Sequence, residues 1–283
     1  MLSKALIAHL KELLSTKILH ASPLSGGDIN EVYLLQTTNH KFVVKLNSAS
    51  RFPGMFKAEA KGLDELKSSN TFSIPEAIAY GEVDKVSYLL LQYVDSASRA
   101  SDFWEVFGQQ LAAMHQISEE YFGLKKDNYI GSLPQYNTKC QTASAFYIQQ
   151  RLEPQFQLAS KNGYLFSKLD VFYKNIEGII PQEPSSLIHG DLWSGNFMED
   201  GKGAPCLIDP AVAYSPREMD IAMMHLFGGF DPQLFEVYHE IFPLQKGWKQ
   251  RISLFQLYYL LVHLNLFGSS YYTSVKRIIE SYS

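Results

Sequence analysis

The hydrophobic period of this chain changes near Asp95-Ser96-Ala97-Ser98, and that change restricts it to a two-part fold. Before the change, short runs rich in β-formers dominate. Val32-Tyr33-Leu34-Leu35 and Phe42-Val43-Val44-Lys45-Leu46 flank the turn-like Thr38-Asn39-His40 and read as a hairpin. Residues 77–83 and 87–94 read as a second strand pair, divided by Asp84-Lys85. Between the pairs, Phe56, Ala60, Leu63 and Leu66 recur at spacings of four, three and three, which is one face of a helix entered after Pro53-Gly54.

Beyond the small polar segment, which suits a hinge, the period is helical. Phe103, Phe107, Leu111 and Met114 share one face, and Leu165, Leu169, Phe172, Ile176 and Ile179 share another. Helical patterns return over 217–228 and 248–267, and one short strand, Cys206-Leu207-Ile208, ends at Asp209. No internal repeat or low-complexity linker interrupts this plan. The expectation is an α+β, two-lobed fold. A small amino-terminal lobe (1–94) carries an antiparallel sheet and a helix, and a larger, mainly helical lobe (95–283) follows.

Composition narrows the class without naming a chemistry. With 283 residues the chain is long enough to bury roughly three quarters of its unfolded surface, so it needs no metal or disulfide staple. Apolar residues make up 46% and charged residues 19%, which argues against disorder. The formal net charge of −4 leaves no footprint of nucleic-acid binding. Cys140 and Cys206 are too few for a disulfide framework or a zinc site. The amino terminus carries Lys4, Lys11 and Glu12 among its apolar residues, unlike a signal peptide. The most apolar stretch, 258–267, is broken by His263 and Asn265, so no membrane span is expected and the chain is read as cytoplasmic.

Chemistry concentrates in His189-Gly190-Asp191-Leu192-Trp193-Ser194-Gly195-Asn196 and the downstream Leu207-Ile208-Asp209-Pro210. Asn196 lies five residues after Asp191 and Asp209 eighteen after it, at a strand end. Kinase-type phosphoryl transfer uses that spacing: one Asp accepts the proton of the attacking hydroxyl, then an Asn and a second Asp face Mg²⁺. The ion is hard and takes oxygen ligands, while the first carboxylate must stay free to act as base. Upstream, Lys45 sits on a strand and Glu59 on the following helix, fourteen residues later. Such a pair holds the lysine against nucleotide phosphates. Ser25-Gly26-Gly27-Asp28-Ile29-Asn30 precedes the first hairpin, where a phosphate-covering loop belongs, although it is not G-x-G-x-x-G.

These segments resemble the fructosamine (ketosamine) 3-kinase family. So do Met55-Phe56-Lys57-Ala58-Glu59-Ala60, Asn128-Tyr129-Ile130-Gly131-Ser132, Arg217-Glu218-Met219-Asp220 and Leu226-Phe227-Gly228-Gly229-Phe230, and the likeness runs from about residue 20 to 268. His-Gly-Asp with a downstream Asp is shared with aminoglycoside and choline kinases; the Leu-Trp-Ser-Gly-Asn extension is narrower. The resemblance implies a kinase-like fold and transfer of the γ-phosphate of ATP to O3 of a ketosamine, free or protein-bound, a deglycation step. It implies Asp191 as base and Asn196 and Asp209 as Mg²⁺ ligands. Lys45, held by Glu59, would meet the ATP phosphates, Gly26, Gly27, Asp28, Ile29 and Asn30 would cover them, and Gln92, Tyr93 and Val94 would offer backbone groups to adenine. Pro210-Ala211 replaces Phe-Gly after the second Asp, and seven residues separate Asp209 from Arg217. A long activation segment is therefore excluded, and the enzyme is expected to be constitutively competent.

Plainer readings stand beside these. Lys45 and Glu59 could be a surface pair of little worth, and Gly26-Gly27 an ordinary turn. His189 is expected to brace the catalytic loop, and Arg217 with Asp220 to anchor the loop after Asp209. His115, His225 and His263 read as satisfied core or boundary residues. Cys206 reads as strand packing and Tyr258-Tyr259 as core. Trp193 has two readings: packing of the catalytic loop, or a ring face for the sugar or its protonated amine. A small-molecule kinase of the aminoglycoside or choline type, and a nucleotide-binding module without turnover, remain the competing functions.

Overall fold

The computed structural model of the chain describes residues 2–24 and 29–283. Its amino-terminal part is built from α1 (Lys4–Leu14), β1 (Ile18–Pro23), β2 (Glu31–Thr37), β3 (Lys41–Ser48), α2 (Met55–Ser68), β4 (Ala77–Val83) and β5 (Val86–Gln92). The strands form one sheet in the order β1-β2-β3-β5-β4, with every neighbouring pair antiparallel. Both expected hairpins are present, as is the helix between them.

Helices cover both faces of this sheet, which decides where each side chain of β3 and β5 points. Successive strand residues alternate between faces. Val44 and Leu46, with Tyr88 and Leu90, pack under Leu6 and Leu10 of α1. Leu89 and Leu91 pack under Phe56, Ala60, Leu63 and Leu66 of α2. Lys45, between Val44 and Leu46, is thereby sent to the α2 face. Neither α1 nor β1 is among the expected elements. The β1 strand is at the sheet edge and carries His20, Ser22 and Pro23, so its apolar alternation is weak.

The carboxyl-terminal part comprises α3 (Phe103–His115), β6 (Asn128–Ile130), β7 (Leu133–Gln135), α4 (Ala143–Phe146), a π-helical stretch (Tyr147–Leu152), α5 (Glu153–Lys161), α6 (Leu169–Glu177), β8 (Ser186–Ile188), β9 (Phe197–Glu199), β10 (Pro205–Leu207), β11 (Ala213–Ser215), α7 (Glu218–Phe227), α8 (Pro232–Ile241), α9 (Trp248–Phe267) and α10 (Tyr272–Ser281). Three two-stranded ribbons, β6–β7, β8–β11 and β9–β10, lie among the helices. The α9 helix is apolar around most of its circumference because it runs through the core. No helix among the described residues is long and apolar enough to cross a membrane.

The segment expected to act as a hinge is tied down by the turn between β9 and β10. Ala97 N–H donates to the Asp200 carbonyl (3.1 Å), and Ala100 N–H to that of Gly203 (3.1 Å). The apolar face of α2 also shares one cluster with Phe103, Phe107 and Leu111 of α3, so the two parts have a continuous core. The face proposed over Leu165 to Ile179 is shorter than expected. Lys168 adopts a left-handed conformation before Leu169 begins α6, and Leu165, outside the helix, is 72% exposed. Periodicity extended across a non-helical residue that spacing alone does not reveal.

Gly108 shows what the α3–α8 contact requires. A Cβ there would meet the Leu234 carbonyl oxygen at 2.6 Å and Val237 Cβ at 3.0 Å. Alanine is intrinsically the better helix former by about 1 kcal/mol. Overpacking against a backbone oxygen costs about 1–3 kcal/mol and wins. Gly108→Ala is expected to lower the melting temperature by a few degrees; a raised value in thermal unfolding would contradict the tight packing.

Candidate active site

The loop after β8 makes a sharp turn at Gly190, whose φ is +82°. Any Cβ there would overlap the Ala211 carbonyl, so only glycine lets this loop pass so close to the segment after Asp209. Asp220, fully buried at the start of α7, holds the turn. Its Oδ2 accepts from His189 N–H (2.7 Å) and its Oδ1 from Gly190 N–H (2.9 Å). His115 Nε2–H donates to the same Oδ2 (3.3 Å), leaving Nδ1 to accept from the Tyr238 hydroxyl (2.9 Å).

Asp220 therefore anchors the loop ahead of Asp191, not the one after Asp209 as expected. Arg217 serves a different contact, pairing with Glu183 (2.7 Å) and donating to the carbonyls of Phe242 and Pro243. His189 braces the loop as expected. Its Nδ1 accepts from Asp191 N–H (3.3 Å), so Nε2–H donates to the Ile208 carbonyl (2.9 Å). Burial lowers the pKa of both His189 and His115, against the pull of nearby acceptors.

Asp191 follows this brace. Asn196 Nδ2 donates to its backbone carbonyl (2.8 Å) and to its Oδ2 (3.0 Å). Burial pushes the Asp191 carboxyl up to about 7; the Asn196 bond works the other way, and the charges of Asp209 and Asp220 add to the rise. A proton acceptor working near neutral pH needs such a value. Because Asn196 commits its nitrogen, its Oδ1 has no hydrogen bond among the described residues. Asp209, in a left-handed conformation with φ +56°, keeps its side chain 45% exposed. Two oxygen donors of this kind fit a hard divalent cation whose other ligands are phosphate oxygens and water. No cluster of three or more His, Cys, Asp or Glu suited to a metal occurs among the described residues.

Lys45 crosses from the sheet to both carboxylates, donating to Glu59 Oε1 (2.7 Å) and to Asp209 Oδ1. The pair is buried, which removes the surface reading. Burial opposes the lysine's charge, but Asp209 and then Glu59 outweigh it and raise its pKa. Glu59 is itself raised by burial, with Lys45 offsetting only part of the cost.

The segment after Asp209 is clamped by residues far away in the chain. Gln135 Nε2 donates to the Ala211 carbonyl (3.0 Å) and Asn128 Nδ2 to that of Val212 (2.9 Å). Asn137 donates to Asn128 Oδ1 (2.8 Å), Arg151 to Asn137 Oδ1 (2.8 Å), and the Tyr258 hydroxyl to Gln135 Oε1 (2.7 Å). Tyr258 is thus part of a buried polar network and not core alone. Gln135, Asn137 and Arg151 were missed in the sequence, and the joint role of Asn128 and Tyr258 with them, because no local spacing links 128, 135, 151 and 258.

A cavity of about 320 Å³ opens where these elements meet. Lys45, Glu59, Asp191, Asn196, Asp209, Ile29, Asn30 and Trp193 all line it. Gly26, Gly27 and Asp28 fall outside the described residues. Gln92, Tyr93 and Val94 lie outside the cavity wall, and Gln92 N–H already donates to the Glu76 carbonyl (2.9 Å). Gln92 pairs with Phe42, three residues along β3 from Lys45.

Trp193 packs its ring on Gly195, as its first reading expects, and the residue is also 40% exposed and lines the cavity. His263 is a satisfied boundary residue, as expected, with Nδ1 bonded to the Tyr259 carbonyl, and it also lines the cavity. His225 lies at a boundary, stacked on Phe235 at 4.4 Å, and Cys206 is buried in β10. Gly229 rests against Ser194, which explains the placement of the Leu226–Phe230 segment beside the loop that carries Asp191.

The family model described as Fructosamine kinase matches residues 2–283. A probable ketoamine kinase of Enterococcus faecium is 38% identical over 92% of this chain and 94% of its own length. One of Synechocystis sp. is 37% identical over 91% and 88%. A crystal structure of a putative fructosamine-3-kinase from Haemophilus somnus superposes with a TM-score of 0.89 at 27% identity, covering 98% of this chain and 96% of the other. A spectinomycin phosphotransferase shares the fold alone, with a TM-score of 0.62 at 14% identity over 99% of this chain and 97% of its own. Whole-chain matches of this extent, on a site with kinase residues in one cavity, make the chain a phosphotransferase of the fructosamine kinase family.

Proposed function

We propose that the protein transfers the γ-phosphate of ATP to the O3 hydroxyl of a ketosamine. The observation that carries this reading is the convergence of Asp191, Asn196, Asp209, Lys45 and Glu59 on one cavity. In the proposed reaction Asp191 accepts the proton of O3 as that oxygen bonds to the γ-phosphorus. The bond from phosphorus to the β–γ bridging oxygen breaks, and ADP leaves. Lys45, oriented by Glu59, meets the phosphates. Asn196 Oδ1 and the Asp209 carboxylate would hold Mg²⁺, which when bound neutralises charge on the phosphates.

The segment from the end of β5 to just beyond it, 92–94, would receive adenine through backbone groups other than the committed Gln92 N–H, about 10 Å along the strand from Lys45 by strand geometry. A nucleotide is also supported by the related fold of the spectinomycin phosphotransferase, solved with ADP. The 3-phosphate destabilises the adduct, which gives the reaction a deglycation role. The segment after Asp209 is already clamped, which supports an enzyme that needs no activating modification.

The test is ADP release from Mg²⁺-ATP with fructosyl-lysine or ribulosyl-lysine as acceptor. Turnover is expected with at least one of them, and chelation of Mg²⁺ is expected to abolish it. Lys45→Met is expected to raise the apparent KM for ATP and lower kcat/KM by about 10²-fold or more, since it removes a charge aimed at the phosphates. Nucleotide binding with no transfer to either ketosamine would overturn the substrate assignment.

A further inference from the structure

Three half-exposed aromatic rings surround the mouth of the cavity. Trp193, Phe227 and Phe267 are 40%, 43% and 52% exposed, and all three line the opening. They come from the catalytic loop, the end of α7 and the end of α9. With His263 they form a continuous arc. Ring centroids are 6.5 Å apart for Trp193–Phe227, 5.0 Å for Phe227–His263 and 5.5 Å for His263–Phe267. Isolated exposed aromatics need no explanation, but contiguous ones at a cavity mouth mark a binding surface.

The charges of the cavity are distributed unevenly. Its three carboxylates, Glu59, Asp191 and Asp209, all sit in the Lys45–Asn196 cluster at the reacting end. The wall formed by the arc carries no acidic side chain. His263 Nδ1–H donates to the Tyr259 carbonyl (2.8 Å), Nε2 has no hydrogen bond among the described residues, and burial lowers the pKa of the ring. Lys45, the one lysine or arginine among the described lining residues, sits at the reacting end, so a cation on this side of the cavity has aromatic rings beside it and no lysine or arginine. Aromatic faces attract substituted ammonium groups through their quadrupoles.

We propose that this arc receives the substituted ammonium of the ketosamine, and that Phe227 and Phe267 set a preference for a cationic over a neutral acceptor. The proposal rests on the ketosamine reading above. It extends that reading to a specificity device: the sugar enters toward Asp191 while the secondary amine stays at the rim, with the group it carries projecting outward.

The experiment compares kcat/KM for fructosyl-lysine with that for its neutral ether, in which oxygen replaces the linking nitrogen. The native enzyme is expected to favour the amine by about tenfold or more. Phe227→Leu and Phe267→Leu are each expected to reduce that ratio by about three- to tenfold, and Phe267→Tyr, which keeps the ring, to restore it. The ratio is internal to each preparation, so a general loss of stability does not move it. Equal use of amine and ether by the native enzyme would overturn the proposal while leaving the kinase reaction standing. So would Leu variants that keep the native ratio. Transfer to neither acceptor would overturn the ketosamine reading and this inference with it.

Discussion

Asp191→Asn is expected to lower kcat for phosphoryl transfer by about 10²–10⁴-fold, the range associated with losing a positioned general base. The substitution preserves shape, and the bond from Asn196 Nδ2 to the backbone carbonyl of residue 191 is untouched. Lys45 and Glu59, which would meet the nucleotide, make no hydrogen bond to the Asp191 side chain, whose partner is Asn196. Nucleotide affinity should therefore stay near native. The informative pair of measurements is ADP release with a ketosamine and nucleotide titration by calorimetry. A variant that turns over normally would remove Asp191 from the role of base; one that also fails to bind nucleotide would mean the loop had collapsed.

Asp220→Ala is expected to cost about 3 kcal/mol or more, and to remove activity with it. Two buried backbone N–H groups, of His189 and Gly190, lose their acceptor, as does the ring N–H of His115. Each buried donor left unpaired costs about 1–3 kcal/mol. No water-accessible route relieves them, since Asp220 and His189 are fully buried. At about 2–4 °C per kcal/mol for a chain of this size, the melting temperature should fall by at least about 6 °C. Asp220→Asn keeps one acceptor oxygen but turns an amide N–H₂ toward the other donor, so it should rescue little. A thermal melt indistinguishable from native would show that the loop holds itself without Asp220.

The same two sites show how far the residues could be read in order. Asp191, Asn196 and Asp209 lie on adjoining loops, where chain spacing limits distance, so their grouping was legible. Lys45 and Glu59 were legible for another reason. Strand alternation places Lys45 on the face that α2 covers, and helix periodicity puts Glu59, three residues after Phe56 and four before Leu63, on the same sheet-facing side of α2 as those apolar positions. Asp220 was singled out but given the wrong loop, because a helix's first turn can reach several neighbours and only packing selects one. His263 was read as core or boundary and lies at the boundary; that this boundary is a cavity wall was not legible, because spacing does not distinguish a packed face from one that lines an opening.

The identities and order of the chemistry-bearing residues, the antiparallel sheet and the main helices follow from local rules. Side-chain period, turn chemistry and the reach of a short loop act over a few residues and can be read from one. The clamp on the segment after Asp209, the brace from Asp220 and the aromatic arc at the mouth each depend on contacts between residues thirty or more positions apart, and the clamp's Tyr258–Gln135 bond spans 123. Their distances are set by how α7, α9 and the β6–β7 ribbon pack around a common core. Many partners would satisfy the local pattern of each element equally well, and burial, excluded volume and the pairing of buried polar groups leave one.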